Sequence, residues 1–344
     1  MIMTARRKRS CVDSNLAHRM EAMPRISVIG RSAHSAIADA IPAEYTISFL
    51  DGANEEQDFR TLYSADFALL CMSATAGFDV SFIKYWKALE EFVTPRAVVV
   101  TDLDNSDADF DESCALIARV LGEEILPIAL VLHEVDGSPA ALIDLFSLKI
   151  SQNENSTDAQ PEVVELVMDA REELLQELAT SIVDESLSQQ LLQGVTPSLP
   201  VLQRALINAV ATSAFIPVLT SSESSPLGRR ELHELLDGVL ADPEFVASTN
   251  TTDTAEMESF LNRYLPHRLL EGVVESDVSL SIEFPDEFAA EVDREISRAR
   301  AVPHSSVDRH GISLRECEVP RLGAPALLAL VQSACEYNAA ITVL

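Results

Sequence analysis

Short apolar runs alternate with amphipathic segments along the first two-thirds of the chain, and this alternation limits the fold more than any other feature. Four runs rich in β-branched and aromatic residues have the length of strands: RISVIG, YTISFL, DFALLCM and RAVVVTDL. Helical patterns lie between and after them, at Ser35–Ala40, Phe82–Phe92 and Asp109–Leu121. Strands that alternate with helices form βαβ units, so the sequence predicts an α/β fold with a doubly wound, mostly parallel sheet.

A helical insertion is predicted within this sheet. The stretch ISQNENSTDAQ, 150–160, is polar and rich in turn residues, so we expect a loop there. Helical patterns follow at Pro161–Ile182, Ser186–Gln193 and Pro200–Ser213, before a further strand, FIPVLT, and a helix, LGRRELHELLDGVL. We therefore expect a six- or seven-stranded sheet over residues 24–242, with the insertion at 130–212.

The pattern changes in the last hundred residues. A Ser/Thr-rich linker, 243–276, contains one short helical segment around Met257–Tyr264. Residues 277–344 then show the order strand, helix, two strands, helix, strand. This order is typical of an α+β, ferredoxin-like domain, in which two helices cover one face of an antiparallel sheet.

Composition excludes several classes of protein. The formal net charge of −30 over 344 residues repels phosphate backbones, so we expect no direct binding to DNA. The same acidity is compatible with a basic protein partner or with solubility alone. No apolar run approaches the roughly 18 residues that a membrane span needs, so no membrane association is expected.

The cysteines and the amino terminus indicate where the protein works. Five cysteines show no C-x-x-C pair, so we expect a reducing, cytoplasmic compartment and no bound metal. Residues 1–23 are basic but have no apolar core, unlike a secretory signal. We expect a flexible tail, or a true start at Met20 or Met23; a nucleic-acid-binding arm is the alternative.

The segment VIGRSAHSAIADAI, 28–41, has the strand–turn–helix arrangement of a phosphate-binding loop. The pattern for such a loop is G-x-x-x-x-G-K-[ST]. Gly30 fits its first position, but Ser35, Ala36 and Ile37 occupy the positions of the second glycine, the lysine and the hydroxyl. The segment is either a nucleotide site without its chemistry or an unrelated turn.

Five stretches, in order along the chain, resemble elongation factor G, a translational GTPase. ADFALLCMSATAGFDVSFIKYWKAL resembles the segment after that family's DTPGH motif, and PRAVVVTDLDNSDADFDESCALIARVLG its guanine-specificity strand and helix. LPIALVLHEVDGSPAALIDLFSLKI and FIPVLTSSESSPLGRRELHELLDGVL are similar to the start of its insertion and to its last strand and helix. PDEFAAEVDREISRARA is similar to its carboxy-terminal domain. The linker stands where the family's second, third and fourth domains would be.

This resemblance implies a P-loop-GTPase-like domain over 24–242 and a carboxy-terminal domain of the elongation factor G type over 277–344. It places a nucleotide site at Gly30, Asp51, Asp104 and Ser222. Asp51 and Asp104 match the family's aspartates, and they are either residual ligands or solvated carboxylates at strand ends.

The other positions that the family uses have changed, and the loop with its switch threonine is absent. Ala36 and Ile37 replace the phosphate-binding lysine and the magnesium-binding hydroxyl. Asp102 replaces the lysine that packs on guanine, Glu223 replaces a small residue beside the base, and Glu55 or Glu56 replaces the catalytic histidine. We therefore expect a pseudo-GTPase with no catalytic residues, whose relic site holds no cofactor; GTP is the alternative.

Arginines in the carboxy-terminal domain are the candidate partner-binding residues. Arg294, Arg298 and Arg300 gather at one predicted helix end, and Arg309 lies in the turn DRHG. The resemblance implies that they face the ribosome or a translation-related protein, although arginines at a helix end are also favourable to the helix dipole. Two other functions stay open: a weak GTP-binding GTPase, and an acidic protein-interaction scaffold.

Overall fold

The computed structural model describes most of the amino-terminal 241 residues and selected parts beyond them. The described residues are 23–31, 37–105, 108–122, 124–134, 137–152, 155–182, 184–223, 225–241, 257, 258, 260, 261, 264 and 265. Of residues 278–285, 302–309, 312–319 and 340–343 the backbone is described.

Strands and helices alternate as the sequence predicts. In the described ranges the strands are β1 (Arg25–Ile29), β2 (Thr46–Leu50), β3 (Phe67–Ser73), β4 (Arg96–Thr101), β5 (Ile125–Pro127), β6 (Ala129–His133), β7 (Pro139–Asp144), β8 (Lys149–Gln152), β9 (Asn155–Asp158), β10 (Ile216–Thr220), β11 (Val278–Pro285), β12 (Val302–Arg309), β13 (Ile312–Val319) and β14 (Ala340–Val343). The helices are α1 (Glu55–Tyr63), α2 (Ile83–Phe92), α3 (Phe110–Leu121), α4 (Pro161–Ser181), α5 (Glu185–Leu192), α6 (Leu199–Ala211) and α7 (Arg229–Leu240).

The main sheet has six strands in the order β2-β1-β3-β4-β10-β5. Every neighbouring pair in it is parallel. The predicted α/β fold with a doubly wound, mostly parallel sheet is therefore confirmed.

Both faces of this sheet are buried beneath helices. Neighbouring residues of one strand point to opposite faces: Leu69 joins a cluster with α4, α6 and α7, and Leu70 joins a cluster with α1, α2 and α3. Such a strand has no polar face, which is why β3 and β4 are continuous apolar runs in the sequence. All six residues of β4 are buried.

The insertion differs from the prediction at its start. Strands β6 to β9 form a four-stranded antiparallel sheet over 129–158, and the helices α4, α5 and α6 begin only at Pro161. The loop expected at 150–160 was wrong, because Lys149–Gln152 and Asn155–Asp158 pair as β8 and β9. All four residues of β9 are exposed, so this strand has no apolar pattern that could reveal it.

The sequence reading did not identify α1. Asn54 caps this helix, since its side chain accepts a hydrogen bond from the amide of Gln57 at 3.2 Å. Glu55, Glu56 and Asp58 lie in its first turn, where carboxylates are favourable to the helix dipole.

The carboxy-terminal strands form a separate four-stranded sheet in the order β12-β13-β11-β14. Every neighbouring pair is antiparallel. This strand order and direction are those expected of a ferredoxin-like domain. The helices predicted between β11 and β12, and between β13 and β14, lie outside the described residues.

Replacement of Gly228 by alanine should destabilise the fold strongly. Gly228 begins α7 with φ of 82°, and an added Cβ would overlap the carbonyl oxygen of Thr220. We expect the free energy of unfolding to fall by at least about 3 kcal/mol, because the strain of the left-handed backbone and the clash with the carbonyl oxygen add together. Chemical denaturation measures the loss.

Gly194 provides the matched control. It also has positive φ, 74°, but nothing lies within 4 Å of an added Cβ. Gly194→Ala should therefore lose only about 1 kcal/mol. Equal losses in the two variants would contradict the close approach at Gly228.

Candidate functional site: the carboxyl edge of the parallel sheet

Because the six strands run in parallel, their carboxyl ends meet at one edge of the sheet. Gly30 follows β1 and Asp51 follows β2, while Asp104 follows β4 and Ser222 follows β10. In the strand order, β3 separates the first pair of residues from the second. The four predicted site residues therefore form two neighbouring groups along the edge where doubly wound folds bind ligands.

Gly30 is required by packing. Its amide donates to the carbonyl oxygen of Leu50 at 3.1 Å, which continues the β1–β2 ladder past the end of the strand. An added Cβ would lie 3.1 Å from the Cβ of Cys71 and 3.3 Å from its carbonyl oxygen. Gly30 thus lets β1 pass close to β3, and its N–H already has a partner in the sheet.

Ile37 lies in the hydrophobic core. Its side chain is 0% exposed and packs in the same cluster as Ile26 and Val28 of β1. The resemblance expects a magnesium-binding hydroxyl at this position, but a buried aliphatic side chain contributes packing and no ligand oxygen. Ala36, the expected lysine position, lies outside the described residues.

Asp104 and Ser222 are in direct contact. The Oγ of Ser222 donates to Oδ2 of Asp104 at 2.7 Å. The same Oγ accepts from the amide of Ser225 at 3.0 Å and lies 2.9 Å from that residue's Oγ. Asp104 and Ser222, which the resemblance assigns to one site, are thus hydrogen-bonded to each other, and their role in a nucleotide site stays a prediction.

Asp102 adds a negative charge beside this group. It follows Thr101 with φ of 61°, in the left-handed region, and the hydroxyl of Thr101 donates to its carboxylate at 3.4 Å. Burial, and secondly the charge of Asp102, raise the pKa of Cys71 in β3 well above its usual range. The negative charge of Asp102 therefore acts on Cys71 in β3, the strand that separates the two groups of site residues.

The loop after β2 is held by hydrogen bonds within the chain. Oδ1 of Asp51 accepts from the amide of Ala53 at 2.9 Å. Glu55 forms an ion pair with Lys84 of α2, and Glu56 forms one with Arg60 at 2.9 Å. Both glutamates are thus paired with basic side chains; by the resemblance, one or the other stands at the position of the catalytic histidine.

Asp58 is a buried acid that sequence reasoning missed. Its side chain is 8% exposed, and its Oδ2 accepts from the amide of Gly52 at 3.0 Å and from the hydroxyl of the buried Tyr85 at 3.0 Å. Burial raises the pKa of Asp58, although both hydrogen bonds oppose the shift. Asp58 lies four residues before the buried Leu62 of α1, so the two side chains share one face of the helix. This spacing was the signal in the sequence that Asp58 is buried.

The predicted partner-binding arginines are only partly placed. Arg294, Arg298 and Arg300 lie outside the described residues. Arg309 is the last residue of β12 and pairs with Ile312, so it ends a strand and does not lie in the turn. The ladder extends to the last residue before the turn, which the sequence pattern could not locate.

Two kinds of site are absent from the part of the chain that the structure describes. No group of three or more histidine, cysteine, aspartate or glutamate side chains there could hold a metal ion. None of the helices in that part has the length and apolar character needed to cross a bilayer.

Replacement of Asp58 by asparagine should change how stability depends on pH. A raised pKa means that the stability contributed by the protonated carboxyl is lost as pH rises through the folded-state pKa. One asparagine oxygen can still accept both hydrogen bonds, so Asp58→Asn removes the charge and keeps the contacts. Between pH 4 and pH 7 the free energy of unfolding of the variant should rise relative to that of the wild type. The gain is about 1.4 kcal/mol for each unit by which the pKa of Asp58 is raised.

Denaturation curves at several pH values measure this difference. Asp39→Asn is the control, because Asp39 is exposed and the change removes one carboxylate in the same way. If Asp58→Asn and Asp39→Asn shift the pH profile equally, Asp58 is not held in an environment that disfavours its charge.

Curated proteins similar to this chain are elongation factors. An elongation factor G-like protein of Mycobacterium tuberculosis is 31% identical over 175 residues, which are 51% of this chain and 24% of that protein. Elongation factor G of Rhodopseudomonas palustris is 28% identical over 202 residues, 56% of this chain and 29% of that protein. The matched part therefore spans about a quarter of the length of these relatives. No protein-family model matches the chain.

The crystal structure of a protein from Thermus thermophilus has a similar fold. Its TM-score is 0.58 at 18% sequence identity, and the match covers 94% of this chain and 67% of that chain. At this level of identity the likeness concerns the fold.

Proposed function

We propose that this chain, which is elongation factor G-like over about half of its length, is a translation-related protein that does not hydrolyse GTP. In this proposal it is a cytoplasmic pseudo-GTPase that associates with the ribosome or with another part of the translation machinery. The observation that carries the proposal is the burial of Ile37 at the position of the magnesium ligand.

Phosphate binding loses its two strongest contacts in this chain. A phosphate-binding loop uses a lysine charge and a hydroxyl on Mg²⁺. Ala36 and Ile37 supply neither group. Hydrogen bonds to charged groups are worth about 1.5–3 kcal/mol each, so the loss of two weakens nucleotide binding by several orders of magnitude.

Negative charge disfavours the rest of the nucleotide. Asp102 stands at the end of β4 in place of a lysine, and the exposed Glu223 lies next to Ser222. A guanine nucleotide carries several negative charges, so each of these carboxylates repels it. This edge of the sheet therefore suits a nucleotide poorly even though its backbone has the P-loop GTPase-like topology.

The contact between Asp104 and Ser222 favours a second candidate function, weak binding of GTP. The hydrogen bond of 2.7 Å holds the carboxylate at the end of β4, where the resemblance places the group that recognises guanine. In this candidate function the carboxylate that Ser222 holds accepts a hydrogen bond from the guanine base. Weak GTP binding without hydrolysis is therefore the alternative, and a purely acidic scaffold is the third.

Isothermal titration with GTP, GDP and ATP, each with and without magnesium, separates these functions. We expect no dissociation constant below the millimolar range, because Ala36 stands at the position of the phosphate-binding lysine.

Restoration of two groups in Ala36→Lys with Ile37→Thr should produce no GTP turnover, because the switch threonine and the catalytic histidine are still missing. Turnover by that variant, checked for folding by circular dichroism, would contradict the pseudo-GTPase assignment.

Ribosome association should depend on the arginines near the end of the predicted carboxy-terminal helix. Residues 277–344 contain six arginines and eleven acidic residues, 6 − 11 = −5, so bulk charge cannot attract RNA. Arg298→Glu with Arg300→Glu should abolish co-sedimentation with ribosomes, because guanidinium groups bind phosphate in a bidentate manner. The thermal midpoint should stay within a few degrees, as for surface changes.

Arg315→Glu with Arg321→Glu is the matched control, since it changes the charge of the same domain by the same amount. It should leave co-sedimentation unchanged. Association that is lost in both double variants would indicate a bulk charge effect. Absence of co-sedimentation by the wild-type protein at low and moderate salt would favour the scaffold.

A further inference from the structure

One turn of α1 contacts two different parts of the chain. Asp58, Phe59 and Arg60 are consecutive residues, and each contacts a different partner. Asp58 points to the loop after β2 and to α2. Phe59 and Arg60 contact a short segment whose described residues are 257, 258, 260, 261, 264 and 265. We name these six residues the strap.

On the inner side, Asp58 ties the loop after β2 to α2. The amide of Gly52 and the hydroxyl of Tyr85 both donate to the same carboxylate oxygen, at 3.0 Å each. Tyr85 is fully buried, and Lys84 beside it pairs with Glu55 at the start of α1. The position of the loop is thus fixed by how α1 and α2 pack together.

On the outer side, aromatic rings join the strap to α1 and α2. The ring centroid of Phe260 lies 5.7 Å from that of Phe59, 4.3 Å from Phe92 and 4.6 Å from Tyr264. Phe260, Leu261 and Leu265 are 3%, 0% and 1% exposed. Ring pairs at these distances stabilise beyond the area that they bury.

Polar contacts surround this aromatic cluster. Arg60 donates to Glu258 at 2.8 Å and to Glu56 at 2.9 Å. The hydroxyl of Tyr264 donates to Glu91 at 3.1 Å. These bonds fix the strap along α1 and at the end of α2, so the contact has one specific alignment.

We propose that the strap closes over α1 and α2 and thereby holds the loop after β2, residues 51–54, in a single conformation. With the strap closed, Phe260 presses Phe59 toward Tyr85, whose ring lies 4.7 Å from that of Phe59, and Tyr85 keeps its bond to Asp58. When the strap opens, α1 loses its outer apolar contacts, and the bond from Gly52 to Asp58 is released.

The strap is suited to opening without unfolding the sheet. Three of its side chains are buried in the cluster that α1, α2 and α3 form with one face of the sheet, and Met257 and Tyr264 pack against that cluster. The ring and polar contacts described above join the strap to side chains of α1 and α2. A short segment of this kind can open locally at a lower free energy than global unfolding requires. Opening of the strap involves neither a nucleotide nor the ribosome.

Hydrogen exchange of the full chain, followed by mass spectrometry, tests the strap. Phe260→Ala should accelerate exchange of the amides of 52–63 by about tenfold or more, because the closed state is less populated. Peptides from β4 and from β6–β7 should exchange at wild-type rates, which excludes global unfolding. Leu166→Ala, at a leucine of α4 that is 82% exposed, is the control and should change neither region.

Coupling between the strap and the loop after β2 must also act from the loop to the strap. Tyr85→Phe removes one bond to Asp58 and leaves the ring, so the amides of the strap should exchange several-fold faster in this variant. If Phe260→Ala does not fold, Phe260→Leu with Glu258→Gln gives the same readout with a smaller effect. Exchange of 52–63 at the wild-type rate, in a variant whose strap exchanges faster, would overturn the proposal.

Discussion

Burial of the parallel sheet on both faces is the constraint on which the rest of this structure depends. Strands β3 and β4 have apolar side chains on both faces, so each face requires its own layer of helices. One layer comes from α4, α6 and α7, and the other from α1, α2, α3 and the strap. Helices α4 and α6 of the insertion, and the buried Phe260, Leu261 and Leu265 after α7, thus contribute to the core.

The same parallel arrangement gives the carboxyl edge its properties. Loops at that edge are positioned by rigid strands, whatever their side chains are. In this chain the edge combines Gly30, which is needed for packing, with Asp51, Asp102 and Asp104, which are acidic. The topology therefore fixes where the loops of this edge lie, while the side chains of the loops determine its negative charge.

The sequence predicted most of the elements whose burial produces a pattern. Strands β1 to β4 and helices α2, α3 and α7 show apolar runs or a helical period, because they pack on one core. Strand β9 is exposed along its whole length and is specified only by backbone pairing with β8, which leaves no mark in the sequence. The hairpin of β8 and β9 could therefore not be predicted.

The site was predicted in part for a similar reason. The contact between Asp104 and Ser222 follows from two strands that end side by side, whereas the Asp58 network and the strap depend on contacts between residues up to 198 apart in sequence.

Core positions and edge positions tolerate substitution differently. A core position accepts any apolar side chain of suitable volume, and such exchanges usually change stability by less than about 1.5 kcal/mol. In a phosphate-binding loop, by contrast, the lysine and the hydroxyl act through specific polar atoms. Ile37 meets only the requirement of the core: its side chain packs with Ile26 and Val28 of β1 and carries no oxygen that could bind a cation.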